Sequence, residues 1–238
     1  MPRTLRLAPG DWIFHTLNRA NGAGDLFDSP SSYSDFLQLV EDAAELISMR
    51  VLAYCAMPNH WHMLLWPRGD GDLSTFVQHL TSRHTQRWHA RHGSAGRGHV
   101  YQGRFKSFPV RDDHHLVTVC RYIERNPVRA GLVSRAELWP WSSAAAHADQ
   151  SRSGNAVRRE IGRSRGNVSL TPLPIGLPPD WPQLLHNPQT EAELEAMRTS
   201  LRRDLPYGDT PWQQSAAARL GLERGPRGRP RKNTRPID

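Results

Sequence analysis

Met57-Pro58-Asn59-His60-Trp61-His62-Met63-Leu64-Leu65 is the stretch on which the reading of the chain turns. Side chains on a β-strand alternate between faces, so His60 and His62 share one face while Trp61 and Met63 take the other. Two imidazoles then stand side by side on a surface that otherwise favours burial. Neutral imidazole is the commonest metal ligand, so this pair is half of a metal site. The competing reading is two hydrogen-bonded core histidines.

Working outward, Arg50–Ala56 reads as a strand before the Pro58-Asn59 break. It forms either an antiparallel partner of His60–Trp66 or one kinked strand with it. Upstream, 11–19 reads as a first strand and 21–25 as a turn. Over 33–47, Phe36, Leu37, Val40, Ala43, Ala44 and Ile47 recur at helical spacing. Downstream, Leu73, Phe76, Val77, Leu80, His84 and Trp88 predict a second amphipathic helix, and 100–110 a strand. Asp112-Asp113 suits a helix N-terminus, and the helix is expected to run from His114 to about Asn126 with a Leu116, Val119, Cys120, Ile123 stripe. This order predicts an α+β fold. Its expected form is a ferredoxin-like (RRM-like) antiparallel sheet with packed helices.

The chain has 238 residues, 37% of them hydrophobic, and a formal net charge of +8, which points toward a polyanionic partner. No apolar run long enough to span a membrane is present, and the N-terminus shows no secretory signal. Cys55 and Cys120 both fall in apolar segments and read as reduced thiols, so a cytoplasmic, nucleoid-associated protein is expected. Arg83 and Arg87 make a basic stripe on the second helix, either solvated or in contact with phosphates. Arg104 and Lys106 lie among Tyr101 and Phe105, a mixture that suits stacked bases beside phosphates, and Arg121 is a further candidate contact. Ser, Arg, Gly and Pro dominate from about 148, so 148–189 is expected to be an irregular linker. A helical extension with a basic, disordered tail is expected over 190–238. Within that tail Arg227, Arg229, Arg231 and Lys232 either enter a DNA minor groove or only solubilise the chain.

A metal site on a strand, a tyrosine (Tyr122) on a helix and a basic surface suggest metal-assisted phosphoryl transfer on nucleic acid, with the phenol as nucleophile. Met57-Pro58-Asn59-His60-Trp61-His62 resembles the HUH metal motif. Tyr122-Ile123-Glu124-Arg125-Asn126-Pro127-Val128-Arg129-Ala130-Gly131-Leu132-Val133 resembles the nucleophile helix of the REP-associated tyrosine transposases, single-tyrosine HUH enzymes related to IS200-like transposases. Trp141-Ser142-Ser143 and Gly228-Arg229-Pro230-Arg231-Lys232 are similar to that group as well. The resemblance implies a transposase domain over 1–147 that nicks and rejoins single-stranded, hairpin-forming DNA. It implies that Tyr122 forms a 5′-phosphotyrosine, and that His60, His62 and Asn126 hold Mg²⁺ or Mn²⁺. The long C-terminal region favours a monomer over a dimer. Trp61 is bulkier than the family's usual middle residue, which predicts altered packing with the chemistry intact. Two alternatives stay open, a non-catalytic nucleic-acid-binding module on an RRM-like fold and a metal-dependent nuclease that uses water.

Overall fold

The computed structural model describes residues 7–22, 24–96, 98–152 and 168–222. Strand β1 is Ile13–Arg19, helix α1 Pro30–Ile47, β2 Arg50–Met57, β3 His60–Trp66, α2 Asp72–His92, β4 Lys106–Val110 and α3 His114–Glu124. The four strands form one antiparallel sheet in the order β2-β3-β1-β4, the ferredoxin-like arrangement predicted above. Pro58 and Asn59 form the tight connection between β2 and β3, which resolves the kinked-strand alternative.

Alternation along β3 sends Trp61, Met63 and Leu65 into the core beneath α1 and α2, and Leu64 into the core beneath α3. Trp61 is fully buried and its indole Nε1 donates to the Tyr101 hydroxyl at 3.3 Å. Helix α1 begins three residues before its apolar periodicity does, because Ser29 and Ser32 form a capping box and Pro30 occupies the first turn. Asp113 caps α3 by accepting from the His115 backbone N–H.

Three sequence expectations need correction. The expected 100–110 strand is only Lys106–Val110. Gly103, at φ +130°, breaks it, leaving a single bridge between Tyr101 and Ala20. The tyrosine helix stops at Glu124, and a separate short helix, α4 (Asn126–Arg129), follows. Pro127 has no N–H to give to the Ile123 carbonyl, and the Asn126 side-chain amide donates there instead at 3.3 Å.

The third correction concerns 148–189. Its described part is packed rather than loose. Helix α5 (Ala144–Arg152) runs into it, α6 (Trp181–His186) lies within it, and Val168, Leu173, Trp181 and Leu185 are buried. Helices α7 (Glu191–Arg203) and α8 (Thr210–Arg219) follow, and Tyr207 between them bridges to Val110 at the sheet edge. Among the described residues, no helix is long and apolar enough to cross a membrane. The basic tail residues Arg227, Arg229, Arg231 and Lys232 lie outside the described residues.

Candidate active site

The antiparallel register places the C-terminal end of β1 beside the N-terminal end of β3, with Leu17 opposite His62 and Arg19 opposite His60. Helix α3 lies over that face, and the break at Arg125 turns Asn126 toward it. The result is a cleft of about 600 Å³ lined by His60, His62, Tyr122 and Asn126. Its rim carries Asn18, Arg19, Gln102, Arg104 and Lys106, together with Leu201 and Arg202 from the end of α7. Residues far apart in sequence, predicted to act together, thus meet in one place.

The two histidines are held in complementary ways. The His60 and His62 rings are 5.0 Å apart and nearly perpendicular. His60 Nδ1 lies 2.7 Å from Asn59 Oδ1, an acceptor, so Nδ1 carries the proton and Nε2 is left as a lone-pair donor. His62 Nδ1 lies 2.9 Å from His15 Nε2, and the two rings stack 5.0 Å apart. In the tautomer whose Nδ1–H donates to His15, His62 likewise keeps Nε2 for a cation. An outer partner on the second ring nitrogen is the usual support of a metal-binding histidine.

Burial holds both histidines neutral at ordinary pH. It pushes His60 down to about 4, helped by the charges of Arg19 and Arg129. His62 is pushed well below its ordinary value by burial first, then by the neighbouring His15, His60, Arg129 and Arg19. His15, wholly buried, falls to about 3 through desolvation. Unprotonated imidazole is the form a metal requires.

Tyr122 is nearly buried, and its ring meets the His62 ring edge-on at 5.9 Å. The Arg129 guanidinium stands 4.3 Å from the centre of the Tyr122 ring and also donates to Asn126 Oδ1. The Asn126 amide orientation follows from its bond to the Ile123 carbonyl, which leaves Oδ1 to accept from Arg129. Two imidazoles and an amide on one cleft are side chains of the kind that can bind a divalent cation.

The predicted DNA contacts divide. Arg104 and Lys106 are exposed at the cleft. Arg83 and Arg87 lie on α2, across the sheet from Tyr122, and Arg87 donates to the Asp35 carbonyl at 3.3 Å. Arg121 is turned away from the cleft and donates to the carbonyls of Leu184, Asn187 and Pro188. It fastens the segment after α6 to α3. His15, Arg19, Gln102, Arg129 and Arg202 were not singled out from the sequence for this site. For Arg129 the signal was present, since a residue three after Asn126 in a helical turn falls on the same side.

Two other groups of metal-type side chains occur among the described residues. Cys120, Glu124 and His147 are buried together, and Asp113, His114 and His115 lie near the start of α3. The first is held by its own hydrogen bonds. Glu124 accepts from the Ser143 hydroxyl at 2.5 Å, from His147 Nδ1 at 2.6 Å and from the Trp181 indole at 3.1 Å. In the second, Asp113 caps the helix and pairs with Arg111 at 3.0 Å.

Residues 12–126 match the family described as "Transposase IS200 like". Among solved structures, one described as a REP-associated tyrosine transposase bound to a REP hairpin shares the fold. It has a TM-score of 0.52 and 22% identity, and the match covers 63% of this chain and 86% of that one. The comparison with curated proteins returned no match.

Proposed function

We propose that this chain, whose residues 12–126 match the IS200-like transposase family, cleaves and rejoins single-stranded hairpin DNA through Tyr122. The observation that carries the reading is the cleft in which Tyr122, His60, His62 and Asn126 meet between cationic walls. Tyr122 Oη attacks the phosphorus of a backbone phosphodiester. The new bond is a 5′-phosphotyrosine, and the P–O3′ bond breaks. The departing oxygen ends as a 3′-OH, with the phenolic proton lost to solvent. Attack by a 3′-OH on the phosphotyrosine reverses the bookkeeping and seals a strand.

His60 Nε2, His62 Nε2 and Asn126 Oδ1 would hold Mg²⁺ or Mn²⁺. The two nitrogen donors favour Mn²⁺, because Mg²⁺ prefers oxygen. When bound, such an ion polarises a phosphate oxygen and offsets charge developing in the transition state, which spares the protein a strong base. His15 and Asn59 orient the two imidazoles. Arg104 and Lys106 draw the DNA backbone into the cleft. The similar solved protein is described as bound to a REP hairpin, which supports hairpin DNA as the substrate class here.

The test is covalent capture. Full-length protein is incubated with Mn²⁺ and single-stranded hairpins formed by palindromes flanking its own gene, and adducts are resolved on denaturing gels and mapped by mass spectrometry. The expected result is a DNA adduct on Tyr122 that Tyr122→Phe abolishes while hairpin binding persists. Cleavage without an adduct would instead identify a nuclease that uses water. Binding without cleavage across all such hairpins would identify a recognition module.

A further inference from the structure

Arg129 brings a permanent positive charge against Asn126 and Tyr122, at the edge of the site. Its guanidinium donates to Asn126 Oδ1, the oxygen assigned above as the third metal donor. The same group sits over the Tyr122 ring, 4.3 Å from its centre. Its field also reaches His60 and His62. A guanidinium stays charged at all working pH values and has no lone pair to offer a metal. One cation therefore rests against the nucleophile and one of the three proposed metal donors.

We propose that Arg129 competes with the divalent ion for this site, holding Asn126 Oδ1 until a metal takes it. The proposal rests on the reading of His60, His62 and Asn126 as the metal ligands. Two physical effects act together. An oxygen engaged in a charge-assisted hydrogen bond is a poorer ligand until that bond breaks. A cation a few ångströms from a second cation also opposes its binding. A phosphate oxygen pair matches the guanidinium fork better than a single amide oxygen does. An arriving DNA backbone therefore gives Arg129 another partner and frees Asn126. Arg129 is on this account a positioning residue for the metal, with the DNA backbone as its alternative partner.

The test measures metal binding in DNA-free, full-length protein, by electron paramagnetic resonance of added Mn²⁺. Arg129→Gln removes both the charge and the fork, and it should bind Mn²⁺ roughly tenfold more tightly, a size known for groups that touch a metal ligand. Arg129→Lys keeps the charge and should fall between the two. Cleavage of hairpin DNA should move the opposite way and weaken in Arg129→Gln, a split that a merely structural role does not produce. If neither variant binds Mn²⁺ more tightly than the unaltered protein, the proposal is overturned. A second measurement needs no variant. The Arg129 Nε–H resonance should shift as Mg²⁺ saturates the unaltered protein, and an unmoved resonance overturns the proposal too. His60→Ala separates this failure from a failure of the metal site itself. Undiminished Mn²⁺ binding in His60→Ala removes the ligand assignment and Arg129's role with it. Lost binding in His60→Ala, with Arg129→Gln unchanged, removes only the role of Arg129.

Discussion

Helix α3 carries a polar cluster on each of two flanks, and the two are built differently. Toward α5 and α6, Glu124 is fully buried, and both its oxygens accept hydrogen bonds, from Ser143, His147 and Trp181. Toward the cleft, His15 and His62 share one bond. His15 Nδ1 is buried with no hydrogen-bond partner among the described residues, and Asn126 Oδ1 is bonded to the Arg129 guanidinium. A carboxylate with all its bonds made stabilises the fold, because every alternative leaves donors unpaired. Imidazoles with a spare donor atom and an amide bonded to a replaceable cation leave valences for a ligand. A metal-type residue set is therefore not by itself a metal site. In the cluster of Cys120, Glu124 and His147 the Glu124 oxygens and His147 Nδ1 are already bonded, and the one spare nitrogen, His147 Nε2, is buried in the core, whereas the Nε2 atoms of His60 and His62 belong to residues that line an open cleft.

The largest effect that could break this contrast is at Glu124. Glu124→Leu should cost about 3 kcal/mol or more, because Ser143, His147 and Trp181 lose their common acceptor inside the core. Chemical denaturation measures it. A loss under about 1 kcal/mol would show that the cluster does not anchor α3. The tyrosine adduct that survives in the folded fraction should still map to Tyr122.

A smaller effect is expected at His15. His15→Leu removes the unpartnered Nδ1 from the core but strands the buried His62 Nδ1–H, so the two effects offset and stability should change by about 1 kcal/mol or less. The same change removes the partner of His62 Nδ1 and should weaken Mn²⁺ binding by roughly tenfold. Thermal denaturation and Mn²⁺ titration read the two quantities on one sample. If stability and metal affinity fall together, His15 is a core residue and the two flanks of α3 are alike.

Much of this geometry was readable from the sequence, and the unreadable part has physical causes. The strand alternation at His60 and His62 fixed their shared face, and the helical spacing from Tyr122 to Asn126 brought both toward it. His15 carries no local signal of its role because its contact depends on register. Opposite Leu64 on β1, it is diagonal to His62, and nothing local in 11–19 states which residue of 60–66 it will face. The described part of 148–189 was misread because Leu173, Trp181 and Leu185 bury single side chains between prolines and carry no period. Arg121 looked like a DNA contact because charge in sequence does not say whether a guanidinium meets phosphate or carbonyl oxygens.

That last ambiguity gives the smallest and most discriminating test. Arg104 stands exposed at the cleft, whereas Arg121 is spent on the carbonyls of Leu184, Asn187 and Pro188. Each arginine that neutralises one phosphate adds about 1 to the slope of log affinity against log salt, somewhat less on a single strand. Arg104→Gln should lower the slope for hairpin binding by nearly that amount and leave stability alone. Arg121→Gln should leave the slope unchanged and cost about 1 kcal/mol as the segment after α6 loosens. The reverse pattern would place Arg121 on the DNA, and the α6 side of α3 would then be part of the binding surface rather than its support.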